Sequence, residues 1–516
     1  MSVFQLLIRI KLKRKQTNKI NKSKYSKSSD ERRSASWDIQ NAPNNYISLI
    51  LTQTGSAFFS FASVWVITQY LGTENYGNVV AIIAASQIAQ VLINWSCIAL
   101  SKFGTEELVE RGDVSKPFWT RTFILMPNLF LIIPVAFFWF ESLSHLLKIP
   151  SEVFSLVLAH FIATILWLHI QFALQGAKLM RLQGFLQVVE RIIVFLILII
   201  LILTGSITWL SALWAFVVAP IAMILIGFWQ LKNLIFPIRT FDFGYLKKML
   251  LFSVPLIPYS LVGYFSTSYI DVFFVSFYLT KLDVGIYSVN YQIAGMLMQI
   301  PILAGNLLLP FFVTLYASQK GERANLYLAE ILPFICFFWC LACAILATLV
   351  GIFLPLIFGE KFAEHKLLFW ILAAAVGLGS PYLWGYGAMA NAKSLTYITL
   401  TCAIVSAFSN LVLNYFLVPR FGLLGCAWAT VVAYVLSSTA VVVLLNKHLQ
   451  LKKNWVVQAT LPILLGAIIG TWKDSGMFAL AATFFFSSII FLLYCRRISE
   501  AFGLVRNLFF KRKIFT

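Results

Sequence analysis

The sequence predicts an all-α polytopic membrane protein of about 14 transmembrane helices, and three observations carry that reading. Of its 516 residues, 60% are hydrophobic and only 12% are charged, against about 25% charged in soluble domains. The apolar residues fall in runs long enough to cross a bilayer, since ~20 residues rising ~1.5 Å each cover a ~30 Å hydrocarbon core. Positive charge then alternates from one connection to the next.

In chain order the predicted spans are 47–69, 78–100, 120–140, 152–173, 186–204, 208–230, 251–278, 286–316, 328–357, 367–389, 395–417, 422–445, 455–472 and 476–495. The segment before the first span, the even-numbered connections and the C-terminal tail hold 34 of the 40 Lys and Arg residues; the odd-numbered connections hold six. The positive-inside rule therefore places both termini in the cytoplasm. A missed or extra span would scramble the alternation. The net charge of +20 is accordingly topology charge beside membrane spans, not a nucleic-acid surface. Residues 1–45, with Lys11, Lys13, Arg14, Lys15, Arg32 and Arg33 among Ser and Asn, read as a disordered basic cytoplasmic arm near anionic lipid. The apolar run Val3–Ile8 is too short for a signal peptide, and no cleavage site follows.

All seven cysteines fall in or at the edges of spans. Cys340 and Cys343 have CxxC spacing but no second pair or His beside them, so they read as small packing residues. No metal site and no cofactor are expected. The connections are short, roughly 5–12 residues on the outer side and roughly 6–20 on the inner side. That leaves no room for the large extramembrane catalytic loop of a membrane glycosyltransferase or polymerase, so the expectation is not an enzyme.

A weak internal repeat is present. Tyr70-Leu71 followed by Gly77 recurs as Tyr278-Leu279 followed by Gly285, offset by 208 residues. Gln87-Ile88-Ala89 and Gln292-Ile293-Ala294 follow at different spacing. Halves starting at spans 1 and 7 would enter the membrane in the same orientation, as parallel transporter repeats do.

Polar residues inside spans are costly and face a cavity or a partner helix. Gln87, Gln90 and Asn94 share one helical stripe; so do Ser260, Tyr264, Thr267 and Asp271, and so do Gln292, Gln299 and Asn306. Asp271 lies deep in span 7 with no basic residue within a turn. It could take up a proton or cation, or pair with an Arg across the bundle. Glu190-Arg191 opens span 5, Lys178, Arg181, Gln183 and Gln187 lead into it, and Arg121 opens span 3. These cations either anchor the inner membrane face or hold an anionic head group such as a pyrophosphate by charge-assisted hydrogen bonds. His160 and His169 of span 4 read as packing residues.

Four stretches, Gln69-Tyr-Leu-Gly-Thr-Glu-Asn-Tyr76-Gly77, Phe252-Ser-Val-Pro-Leu256 through Asp271 to Val284-Gly-Ile-Tyr-Ser288, Ile357-Phe-Gly-Glu-Lys361 and Val418-Pro-Arg-Phe-Gly-Leu-Leu-Gly-Cys-Ala-Trp-Ala-Thr430, follow one another along the chain. They resemble, in order, the first outer turn, the start of the second half, a turn late in that half and the stretch entering the twelfth span of bacterial polysaccharide and O-antigen (Wzx-type) flippases of the multidrug/oligosaccharidyl-lipid/polysaccharide exporter superfamily. The resemblance covers roughly 46–495. The resemblance implies two six-helix lobes around a central cavity: an N-lobe at 46–250, a C-lobe at 251–450, two extra helices at 451–495 and a cytoplasmic tail at 496–516. It implies translocation of an undecaprenyl-diphosphate-linked oligosaccharide across the bacterial cytoplasmic membrane by alternating access, for surface polysaccharide such as lipopolysaccharide O-antigen. Arg191, Lys178, Arg181 and Arg121 would then meet the head group, Gln87, Gln90, Asn94, Gln187, Tyr264, Gln292 and Gln299 would line the cavity, and Asp271 and Glu190 would couple an ion. Partners would be the sugar lipid, the bilayer and a polymerase or glycosyltransferases. A small-molecule drug exporter and a peptidoglycan-precursor flippase are the alternatives.

Overall fold

The computed structural model describes residues 51–236, 238, 241–254, 257, 268–317, 321–393, 395–449 and 455–510. The basic arm and the predicted cavity residue Tyr264, with Ser260 and Thr267 of its stripe, lie outside them. Among the described residues the secondary structure is helical, without strands. In order the helices are α1 (51–71), α2 (Thr73–Asn94), α3 (Cys97–Arg111), α4 (Ser115–Leu147), α5 (Phe154–Gly176), α6 (Met180–Leu203), α7 (Trp209–Ile235) and α8 (Phe243–Ser253). There follow α9 (Ser268–Tyr278), α10 (Lys281–Ala317), α11 (Gly321–Phe358), α12 (Glu360–Ala392), α13 (Thr396–Leu449), α14 (Val456–Lys473) and α15 (Gly476–Phe510).

Nine helical segments among the described residues are long and apolar enough to cross a membrane. One of them, α13, runs 54 residues, about 80 Å if straight and far beyond a ~30 Å core. It breaks at Gly422, where φ is 60° and ψ −137°, a conformation open to a residue without Cβ. The break separates the predicted spans 395–417 and 422–445. The predicted span 78–100 is interrupted instead: α2 stops at Asn94 and α3 starts at Cys97, and the Ser96 hydroxyl in the turn accepts from Arg121 Nε at 3.4 Å.

Short side chains let the helices approach. A Cβ on Gly104 of α3 would stand 3.1 Å from the Gly176 Cα of α5, and Thr105 Oγ1 donates to the Gly176 carbonyl at 3.3 Å. In the α14–α15 hairpin, a Cβ on Gly470 would stand 2.5 Å from Ala479 Cβ. Helix α12 is sheathed by α10, α11, α13 and α14, and Leu367–Pro381 are buried throughout. Both α11 and α12 contain a π-helical turn, Tyr327–Ile331 and Tyr382–Tyr386, and Tyr327 OH of the first donates to the Trp384 carbonyl of the second at 3.0 Å. The first half of the chain meets the second chiefly through α2 against α10.

At the charge-rich end, α8 starts on an Asp242 cap that accepts from Gly244 N at 2.8 Å and Tyr245 N at 3.2 Å. Lys116 Nζ meets the other Asp242 oxygen at 2.8 Å. That ammonium foremost, together with the backbone donors, holds the Asp242 carboxyl below its usual range.

Candidate transport site

Three polar groupings stand out inside the bundle. The first surrounds Asp271, which is 2% exposed on α9. Its carboxylate accepts from Tyr287 OH at 2.7 Å, Asn414 Nδ2 at 2.8 Å and Thr430 Oγ1 at 3.1 Å. Asn414 Nδ2 also donates to Asn410 Oδ1 at 3.0 Å, while Asn414 Oδ1 is buried without a partner. Thr430 Oγ1 also contacts the Cys426 carbonyl at 3.3 Å. Elements α9, α10 and both arms of α13 thus converge on one carboxylate. No ion pair to Asp271 occurs among the described residues, so neutral donors hold it. A buried acid held only by neutral groups can take up a proton, or a small cation where the neighbouring hydroxyl and amide oxygens turn toward it.

The second grouping lies in the first half. Arg191 on α6 is half-buried, with no ion pair among the described residues. One turn before it, Gln187 Nε2 donates to Gln171 Oε1 of α5 at 3.1 Å. Glu190, 8% exposed, accepts from Trp167 Nε1 at 2.7 Å. His160 Nδ1 sits 2.6 Å from Ser86 Oγ. Replacing Trp167 with Phe strips the buried Glu190 carboxylate of that donor. The expected cost is about 1–3 kcal/mol, read as a lower unfolding temperature in detergent.

Arg121 belongs to neither grouping. It is fully buried, and its guanidinium is enclosed by His169 Nδ1, Ser96 Oγ and Cys97 Sγ, the last at 2.8 Å. His169 Nε2 in turn meets Thr122 Oγ1 at 3.2 Å. This structure therefore gives Arg121 a role in tying α3, α4 and α5 together rather than a surface open to a head group. Lys178, between α5 and α6, and Arg181, in the first turn of α6, are exposed at the charge-rich end. Of the α2 stripe, Gln90 is 2% exposed with its amide nitrogen unpartnered, while Gln87 and Asn94 are half-buried. Gln292 and Gln299 on α10 are half-buried, and Tyr76 OH of α2 donates to Gln292 Oε1 across the junction at 3.5 Å. All seven cysteines are free, and among the described residues no group of three His, Cys, Asp or Glu gathers.

The third grouping closes the charge-poor end, and the internal repeat supplies it. A Cβ on Gly77 would collide with the Lys281 carbonyl, and a Cβ on Gly285 would collide with the Thr73 carbonyl. Gly285 and Lys281 stand 208 residues after Gly77 and Thr73. The contact is thus self-complementary: each glycine receives the carbonyl four residues before its counterpart, as in a two-fold interface. Beside it, Trp65 Nε1 donates to the Ile357 carbonyl at 3.1 Å, and Gln69 Nε2 donates to the same oxygen.

A sequence profile for the family described as "Polysaccharide biosynthesis protein" matches residues 43–316, more than half of the chain. The chain belongs to this family. No curated protein sequence matches it. Among solved structures, a lipid II flippase MurJ in an inward closed conformation superposes with TM-score 0.65 at 15% identity, covering 86% of this chain and 99% of that one. An inward-facing multidrug resistance MATE transporter of the MOP superfamily gives 0.59 at 15% identity, over 77% and 94%. A point mutant of the Vibrio cholerae MATE transporter VcmN gives 0.52 at 14%, over 81% and 99%. At such identities the likeness shows the fold: this member of the polysaccharide biosynthesis family is a multi-pass membrane protein that shares the helical architecture of these solved proteins.

Proposed function

We propose that the protein is a flippase for an undecaprenyl-diphosphate-linked oligosaccharide in the bacterial cytoplasmic membrane, with both termini cytoplasmic, serving surface polysaccharide or O-antigen synthesis. The observation that carries the reading is Arg191: a half-buried guanidinium without a carboxylate partner among the described residues, beside the Gln187–Gln171 amide pair, in a chain of the polysaccharide biosynthesis family. Sugar and diphosphate cannot enter hydrocarbon unaided, because desolvating them costs many kcal/mol. Arg191 replaces water at the diphosphate with charge-assisted hydrogen bonds, and the amides do so at sugar hydroxyls. Two lobes, 46–250 and 251–450, rock about the site and expose it to alternate faces while the prenyl tail stays in lipid. Lys178 and Arg181, at the charge-rich inner mouth, draw the anionic lipid in. Asp271, with its ring of neutral donors, takes up the coupling proton or cation. Glu190 positions α5 against α6 through Trp167. The chemistry is binding and reorientation, with no covalent step. A polymerase or glycosyltransferases would meet the protein at the inner loops.

The test is transfer of a fluorescent undecaprenyl-diphosphate oligosaccharide across proteoliposome membranes, beside a cationic drug and lipid II. The wild type is expected to move the sugar lipid. Arg191→Ala is expected to lose about tenfold or more, as one buried charge-assisted contact of about 1.5–3 kcal/mol requires. Drug movement without sugar-lipid movement would place the protein with small-molecule exporters. Transfer of lipid II alone would make it a peptidoglycan-precursor flippase.

A further inference from the structure

We propose that Lys148 and Lys281 form a crossed clamp that holds the two halves of the chain together at the charge-poor end, each ammonium seated on the carbonyl that ends a helix of the opposite half.

The geometry is reciprocal. Helix α4 ends at Leu147, and Lys148 turns the chain with φ 52°. The backbone N–H groups of Lys148 and Ile149 turn back onto the His145 and Ser144 carbonyls, and the buried Leu147 carbonyl takes its donors from elsewhere in the chain. Two groups from the second half take it: Lys281 Nζ, and Ser276 Oγ at 2.7 Å. Lys281 Nζ also donates to Ser276 Oγ at 2.9 Å, so the three form a closed triangle. In the other direction, α9 ends at Tyr278, and Leu279 N donates back to Val275 O at 2.8 Å. The Leu279 carbonyl is met by Lys148 Nζ at 2.6 Å. Each lysine thus sits where a helix C-terminus concentrates about half a negative charge.

The choice of partner suits a contact that must open. A carbonyl at a helix end attracts an ammonium less strongly than a buried carboxylate does, and water can replace it when the ends part. The nearest acid in sequence does not neutralise Lys281, because Asp283 is occupied by Thr280, accepting from its N–H at 3.0 Å and its hydroxyl at 2.6 Å. Burial, and then the charge of Lys148, pushes Lys281 down to about 8. The ammonium is therefore held against its preference for water, and separation returns it there. Lys148 is exposed and Lys281 half-buried, so solvent screens the first more than the second.

The clamp rests on the alternating-access reading only for its consequence in transport. Its test needs no substrate, so failure of the clamp and failure of the flippase reading are distinguishable. Spin labels at Glu152→Cys and Glu360→Cys, exposed positions on the two halves, with Cys495→Ser removing the exposed native thiol, report the separation in lipid nanodiscs. Lys281→Ala is expected to raise the ratio of long to short distances about tenfold, Lys148→Ala less, and the double variant more than either. Lys281→Arg, which can donate to the same carbonyl, is expected to keep the short distance and shows that the site tolerates substitution. A double variant with the parent's distance distribution overturns the clamp. So does an equal shift from Lys361→Ala, an exposed lysine at the same end.

Discussion

In Asp271→Asn, gradient-driven transport is expected to fall at least tenfold, to the rate seen without an ion gradient, while the protein still folds. The carboxylate receives three donors, from Tyr287, Asn414 and Thr430, and an ionised carboxylate has room for about four. An amide keeps one oxygen for Tyr287 and Thr430 but turns an NH2 toward Asn414 Nδ2. That donor–donor conflict is relieved if the Asn414 and Asn410 amides turn over, since Asn414 Oδ1 is a buried acceptor without a partner and amide orientations follow the hydrogen-bond network. The stability loss is therefore expected near the low end of the usual range, about 1 kcal/mol. Coupling has no such escape, because a neutral amide can neither take a proton nor supply the charge that a small cation needs. Equal transport with and without a gradient, at unchanged unfolding temperature within that margin, is the expected signature. Wild-type gradient dependence in Asp271→Asn would remove Asp271 from the coupling step.

The sequence displays what a helix does to itself and hides what helices do to one another. Apolar runs and alternating charge mark where helices lie, and an aspartate deep in an apolar span marks a candidate site. Which groups surround it is another matter: Asn414 and Thr430 stand 143 and 159 residues from Asp271, and no periodicity within α9 points to them. The same limit explains Arg121. At the mouth of a span it reads as an anchor or a head-group ligand, and His169, 48 residues on, is what encloses it. Lys148 and Lys281 belong to the sparse charge of the outer connections, where a topology count treats them as exceptions. The repeat was visible as two short echoes, but that the echoes touch each other is a property of the folded chain. The break at Gly422 has the same character: a glycine among apolar residues gives no sign of a left-handed φ until the length of α13 demands a turn.

Substituting the paired glycines is expected to force the charge-poor end apart. At Gly77 a methyl would lie 2.9 Å from the Lys281 carbonyl carbon and 3.1 Å from Gly285 N. At Gly285 it would lie 2.9 Å from Thr73 Cγ2 and 3.0 Å from the Thr73 carbonyl carbon. Non-bonded heavy atoms rest at about 3.5–4.0 Å, and the obstacles are mainly backbone, which moves only if α2 and α10 move. Gly77→Ala or Gly285→Ala is therefore expected to separate the helix ends by about 1 Å or more and to slow transport at least tenfold, because the closed state is no longer reached. The two changes are expected to be strongly non-additive, since residues in contact couple and the space opened for one methyl admits the other. Gly72→Ala is the informative contrast. Nothing lies within 4 Å of its Cβ position, but its φ is 84°, so the cost is backbone strain of about 1–2 kcal/mol without collision. It should lower the unfolding temperature and leave the spin-label separation short. If Gly72→Ala opened the end as far as Gly77→Ala does, general destabilisation rather than glycine contact would be holding the halves together. The opposite result would assign the closure to the glycine contact itself, where Gly77 and Gly285 each receive a carbonyl of the other half.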